Sequence, residues 1–162
     1  MSESSVYNVL FLCTGNTARS QMAEALLKSM GRGRFRAYSA GSQPGPRVQP
    51  LAAELIAQLG MDTSALHPKS WDAFAGENAP RMDFIITVCD NAAGEACPAW
   101  AGHPAIAHWG VPDPALQPDD PKGFKDAWLT LRRRIELLLA LPLDKLDHLA
   151  REQQLRLIGK EP

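Results

Sequence analysis

Val9-Leu10-Phe11-Leu12-Cys13-Thr14-Gly15-Asn16-Thr17-Ala18-Arg19-Ser20 runs an apolar, strand-like segment into a cysteine, then a short polar turn, then an Arg-Ser pair. A helix that starts after such a turn has backbone N–H groups without intrahelical partners, and its first turn carries partial positive charge. Five residues separate Cys13 from Arg19. That is enough chain to curl the amides of Thr14, Gly15, Asn16, Thr17, Ala18 and Arg19, together with the Arg19 guanidinium, onto one point beside the sulfur. The result is a cradle for a tetrahedral oxyanion with a nucleophile at its base.

The same surroundings favour thiolate. A free thiol titrates near about 8.5, and a helix N-terminus, aligned amides and a cation all lower that value. The sequence therefore predicts a Cys13 largely ionised at neutral pH. Ser20 is placed to donate a further hydrogen bond to the sulfur, Gly15 has no Cβ to block an anion, and the Asn16 side chain can brace the curl. A buried cysteine beside an ordinary turn would explain Cys13 alone, but not Gly15, Arg19 and Ser20 at the positions a cradle needs.

Outward from this segment, strands and helices alternate. Strands are predicted over Val6 to Leu12, Arg34 to Ser39, Asp83 to Val88 and Ala105 to His108. Helices are predicted over Gln21 to Met30 with Gly31 as the stop, Pro50 to Leu59 ended by Gly60, weakly around Trp71 to Phe74, and Pro121 to Leu141. The last carries Phe124, Trp128, Leu131, Ile135, Leu138 and Leu139 on one side, and Asp120-Pro121 supplies its cap and first residue. The expected architecture is α/β, a doubly wound open sheet of four parallel strands flanked by helices. One domain is expected over residues 1–162, with a core of about 5–141 and a C-terminal helical extension of about 143–160 that either packs on the core or meets a second copy. Ligands of such sheets lie beyond the carboxyl ends of the strands, the edge to which Cys13, Cys89 and Asp113 are delivered. The Pro- and Gly-rich loop Gly41 to Pro50 either borders that mouth or is a plain connection, and Arg132-Arg133-Arg134 reads as a solvated helix face.

Composition narrows the classes. With 162 residues, 45% hydrophobic content and a formal net charge of −1, the chain can build one substantial core and has no basic excess for nucleic acid. It contains no apolar run of about 18 residues, and Met1 to Tyr7 is polar where a secretory signal would be apolar, so no membrane association and a cytoplasmic address are expected. Three cysteines suit a reducing compartment.

The Cys-x5-Arg-Ser loop, with Ser39-Ala40-Gly41 downstream, resembles the low-molecular-weight protein tyrosine phosphatase superfamily over nearly the whole chain to about Leu141. Within it, Val88-Cys89-Asp90-Asn91-Ala92-Ala93-Gly94-Glu95-Ala96-Cys97-Pro98, followed by His108-Trp109-Gly110 and Asp113-Pro114, is similar to the arsenate reductases that use three cysteines on this fold. The resemblance implies that Cys13 attacks arsenate, that Cys89 attacks Cys13 and expels arsenite, and that Cys97 takes the disulfide over from Cys13. It implies no tightly bound cofactor and an external thiol reductant, thioredoxin or a glutathione- or mycothiol-type donor. Those relatives place six residues between the second and third cysteines, and this chain places seven. Eight extended steps would separate Cys89 from Cys97 by about 26 Å, whereas bridged Cα atoms lie within about 7 Å, so the intervening segment must fold back. Some relatives also hold potassium through positions matching Asn16, Glu24 and Ser39 and an aspartate after a histidine, but here Pro68-Lys69-Ser70 follows His67.

Asp113, between Pro112 and Pro114, is the candidate general acid for the leaving oxygen. Three other readings stand beside the reductase. A phosphatase would form a phosphocysteine at Cys13 and hydrolyse it without redox chemistry, although Ala115 and Leu116 replace the aromatic residues that often follow the Asp-Pro pair in phosphotyrosine enzymes. A non-catalytic anion-binding or redox-sensing module would keep the loop without turnover. In both of these, Cys89 can be a strand-end core residue and Cys97 an idle thiol. Zinc held by Cys89, Cys97, His103 and His108 lacks the short ligand spacings of stable sites, so no metal is expected.

Overall fold

The computed structural model describes residues 6–75, 78–89, 100 and 103–161. Among these, four strands form one parallel sheet: β1 (Tyr7–Cys13), β2 (Phe35–Gly41), β3 (Phe84–Thr87) and β4 (Ala105–His108), in the order β2-β1-β3-β4. Val9, Leu10, Phe11 and Leu12 of the central strand are all fully buried, which is why β1 reads as a continuous apolar run and not as an alternating one. The register aligns the carboxyl ends, with Cys13 opposite Gly41, Leu12 opposite Thr87, and Thr87 opposite His108.

The helices are α1 (Arg19–Met30), α2 (Pro50–Ala57), α3 (Pro121–Leu139) and α4 (His148–Ile158). Successive residues of β1 serve opposite faces. Val9 and Phe11 join the large core that includes Met22, Leu26, Ile56, Phe124, Leu131 and Leu155. Leu10 and Leu12 join a smaller one with Met82 and Ile85, covered by Tyr38, Trp71, Phe74 and Trp100. The weak helix around Trp71 to Phe74 is a single 3-10 turn whose N-cap, Ser70, accepts from the Asp72 amide.

The start of α1 and the end of α2 moved for local reasons. α1 begins two residues earlier than the apolar spacing suggests, because its first turn, Arg19-Ser20, is polar. Gly31 ends α1 with φ −105°, outside the left-handed region, and is needed for space: a Cβ there would stand 2.9 Å from Leu27 O and Phe35 Cδ2. α2 stops at Ala57, and the chain then turns through Gly60 at φ +82°. At α3 the expected cap holds, with Asp120 Oδ1 accepting from the Lys122 amide at 3.0 Å. Arg132 and Arg133 are exposed as expected, but Arg134 is buried at 6% exposure.

The C-terminal extension packs on the domain's edge strand. Leu155 and Ile158 enter the large core, and α4 lies along β4. The Ile106 amide donates to Glu152 Oε2 (2.9 Å), Arg156 Nε donates to Ile106 O (3.2 Å), and the two side chains pair with each other. They make the bonds that a fifth strand would make, which protects an otherwise open sheet edge. The double substitution Glu152→Ala with Arg156→Ala is expected to lower stability by about 1–2 kcal/mol and to speed hydrogen exchange at the Ile106 amide. Urea unfolding and exchange mass spectrometry check this.

Candidate active site

Cys13 is the last residue of β1 and is 5% exposed. The chain bends sharply at Asn16, whose φ of 55° lies in the left-handed region that asparagine tolerates. Asn16 is fully buried and its side chain is saturated: Nδ2 donates to Ser20 Oγ at 2.7 Å, while Oδ1 accepts from Gln21 Nε2 (3.0 Å) and from the Lys69 amide (2.9 Å). Gln21 Nε2 also reaches Asn16 O and His67 O. These bonds fix the bend.

The loop Gly41 to Pro50 does more than border the mouth. The amides of Gln43, Gly45 and Gln49 donate to the carbonyls of Thr14, Gly15 and Thr17 at 2.8–2.9 Å. Carbonyls bonded in this way are turned away from the inside of the turn. Gly41 is the tightest point, since a Cβ there would lie 2.4 Å from Thr14 O and 3.1 Å from the Asn16 amide nitrogen. Both are backbone atoms, so the loop itself would have to move. Gly41→Ala is expected to lower kcat/KM by about 100-fold, measured against a soluble, folded control by circular dichroism.

α1 starts without a side-chain cap: Ala18 at the N-cap position has φ −142° and ψ −78° and contributes no cap bond. The first backbone N–H groups of α1 are therefore without a side-chain cap partner at the Ala18 position. Arg19 extends from it, donating through Nη1 to Val111 O at 2.9 Å and placing Nη2 3.6 Å from Asp113 Oδ2. Asp113 uses its other oxygen to accept from the Ala115 amide (2.9 Å), capping a 3-10 turn over Pro114–Leu116. Of the two Asp-Pro pairs, then, Asp113 meets the arginine and Asp120 caps a helix. A cleft of about 460 Å³ opens here, lined by Arg19, Cys89, Gly110, Val111, Pro112, Asp113 and Leu116.

Cys89, just beyond β3, is brought to Cys13. Its Sγ accepts from the Thr14 amide at 3.2 Å and lies 3.6 Å from Thr14 Oγ1, within interaction range of the Cys13 thiol. The thiolate expectation for Cys13 is corrected here. The hydrogen bond to Cys89 and then burial push the Cys13 thiol above its ordinary value, and the opposing pull of Arg19 and of the Asn16 amide is weaker. Ser20 Oγ bonds to Asn16 and, among the described residues, makes no bond to the sulfur. Cys97 lies outside the described residues.

A thiol held higher in the folded than in the unfolded protein binds its proton more tightly when native. The stabilisation is complete below the unfolded value of about 8.5 and is lost as pH rises above it. Unfolding free energy of the reduced protein is expected to fall between pH 8 and 10 by up to about 1.4 kcal/mol per pH unit more than in a Cys13→Ala variant. Denaturant titrations of the pair give this difference directly, and equal slopes would refute it.

Behind the cradle, Glu24 is buried and accepts from Ser39 Oγ at 2.6 Å and from Lys28 Nζ, with Lys69 Nζ 3.9 Å away. Burial lowers the Lys69 ammonium, and Glu24 opposes that shift. Gln21 and Lys69 are support residues that no local motif marks. The one signal in the sequence is Pro68-Lys69-Ser70 after His67, with no aspartate there.

A family profile described as low molecular weight phosphotyrosine protein phosphatase matches residues 8–155. A relative from Halalkalibacterium halodurans named arsenate reductase is 36% identical over 107 residues, covering 66% of this chain and 73% of its own. Among solved structures, an arsenate reductase in the phosphate binding state is similar at 28% identity and TM-score 0.69, over 83% of this chain and 98% of that one. A thioredoxin-dependent arsenate reductase from Corynebacterium glutamicum is similar at 27% identity and TM-score 0.63, over 89% and 66% of the two chains.

Proposed function

This chain belongs to the low molecular weight phosphotyrosine protein phosphatase family, and from that premise we propose that it is an arsenate reductase. The observation that carries the reading is the second thiol: Cys89 Sγ sits on the amide of Thr14, the residue that follows Cys13, and lines the cleft beside Arg19 and Asp113. Hydrolysis of a phosphoester needs one sulfur, whereas reducing arsenic from the +5 to the +3 state needs two electrons, which a pair of thiols supplies on becoming a disulfide.

Arsenate is held by the amides of Thr14 to Arg19 and by the Arg19 guanidinium, which match its oxygens with charge-assisted bonds. Cys13 Sγ attacks arsenic, its proton passes to an arsenate oxygen, and Asp113 protonates the oxygen that leaves as water. Cys89 Sγ then attacks Cys13 Sγ. The electron pair of the S–As bond stays on arsenic, arsenite departs, and a Cys13–Cys89 disulfide remains. Cys97 attacks Cys89 and carries the disulfide to the Cys89–Cys97 pair, which a thioredoxin-type or small-thiol reductant resets. A reducing compartment such as the cytoplasm keeps the three thiols ready. Among the described residues, no helix is long and apolar enough to cross a membrane.

The test is a single turnover of fully reduced protein with arsenate and no added thiol. Release of one arsenite per chain and a mapped disulfide involving Cys89 support the reading. Hydrolysis of an aryl phosphate with no arsenite formed favours the phosphatase. Anion binding with neither product favours the non-catalytic module. Leu116, 81% exposed at the rim of the cleft, offers no ring to stack on a phosphotyrosine.

A further inference from the structure

We infer that the end of the chain, residues 155–161 acting with Arg134, is a positioning clamp for the loop that carries Asp113. The inference rests on the reading of Asp113 as the acid.

Residues 108–113 leave β4 and cross the mouth of the cleft, and nearly every one is gripped from one side or the other. From the C-terminal side, Gly159 packs against His108 so closely that a Cβ would lie 2.1 Å from His108 O and 2.9 Å from Trp109 Cδ1. Trp109, fully buried, donates from Nε1 to Leu155 O at 2.9 Å. Arg134 joins the two segments, donating through Nη1 to Gly110 O (3.0 Å) and through Nη2 to Glu161 O (3.1 Å). From the cradle side, Arg19 holds Val111 O and faces Asp113, and the Val111 amide bonds to Val88 O at 3.1 Å.

Two features make this more than packing. Arg134 is buried at 6% exposure with its Nε unpartnered among the described residues, a costly placement for a guanidinium that does no more than fill space. Beyond Gly110, Pro112 and Pro114 flank Asp113, and fixed proline φ angles pass a displacement along the loop where flexible residues would absorb it. A shift of the His108–Gly110 backbone therefore reaches the Asp113 carboxyl. The family profile ends at residue 155, so the contacts of Gly159 and Glu161 lie beyond the matched region.

The experiment measures the single-turnover rate of arsenite release and the half-saturating arsenate concentration in Gly159→Val and Arg134→Met. Each is made alone and in an Asp113→Asn background, with thermal melts alongside. The expected result is a roughly tenfold slower rate with half-saturation changed less than about twofold, a displaced alkaline limb of the rate–pH profile, the limb that a group acting in its protonated form controls, partial recovery in Arg134→Lys, and no further loss in the Asp113→Asn background. Equal losses in both backgrounds, or unchanged rates with lowered melting temperatures, would overturn the clamp. If Gly159→Val does not fold, the Arg134 pair of variants carries the same comparison. An Asp113→Asn variant at the wild-type rate overturns the acid reading, and the clamp with it. A slow Asp113→Asn beside fast Gly159→Val and Arg134→Met overturns the clamp alone.

Discussion

Arg19→Met is expected to slow single-turnover arsenite release by about 10³-fold or more. Loss of one preorganised oxyanion donor costs roughly 10²–10³ in rate, and Arg19 is more than one donor. Its guanidinium supplies the full positive charge of the cradle, bonds to Val111 O and faces Asp113 across the cleft. Without it the Cys13 thiol loses the strongest influence that lowers it, while Cys89 and burial still raise it. The nucleophile is then both less ionised and less well opposed by its substrate. Arg19→Lys should recover only a small part of the rate, because an ammonium offers a point charge where the fork spans two oxygens. Rapid-quench assays of arsenite at saturating arsenate measure this, and a loss below tenfold for Arg19→Met would contradict the cradle.

Cys89→Ser is expected to stop turnover and leave the first step intact. Arsenate can still meet Cys13, but no adjacent sulfur remains to break the S–As bond, so arsenite release without added thiol should fall at least about 10³-fold. The substitution also removes the largest influence that raises Cys13, so the Cys13 thiol should move down and its alkylation by iodoacetamide at pH 7.5 should be faster than in the unsubstituted protein. Reactivity of Cys13 and loss of turnover thus move in opposite directions. A variant that still released arsenite at the original rate in the absence of small thiols would remove Cys89 from the mechanism.

The parts of this site that could be read from the sequence are those that neighbours in the chain decide. Cys13 to Ser20 is one local segment, so its turn and its helix start follow from residue types and spacing, and the cradle role is proposed on the same residues. The parallel sheet follows from apolar strands separated by helical segments. What escaped depends on distant contacts. The protonation of Cys13 turns on Cys89, from the far side of β3. Arg134 sits in a basic triplet and differs from Arg132 and Arg133 only in the side of α3 on which it falls and in the carbonyls waiting there. Gly159 falls inside the expected extension of about 143–160 with nothing local to mark it, and its close packing appears only when His108 O is placed against it. Gln21 was counted as one more residue of α1, although its amide joins the bend at Asn16 to the His67 segment.

The bond from the Thr14 amide to Cys89 Sγ makes oxyanion association an exchange reaction. One seat in the cradle is already taken by sulfur, so the apparent dissociation constant equals the intrinsic one divided by the fraction of molecules in which that seat is vacant. The sulfur that yields the amide is also the one the next step requires. In the proposed mechanism, loading the first thiol therefore frees the second, whose sulfur otherwise stays on the Thr14 amide.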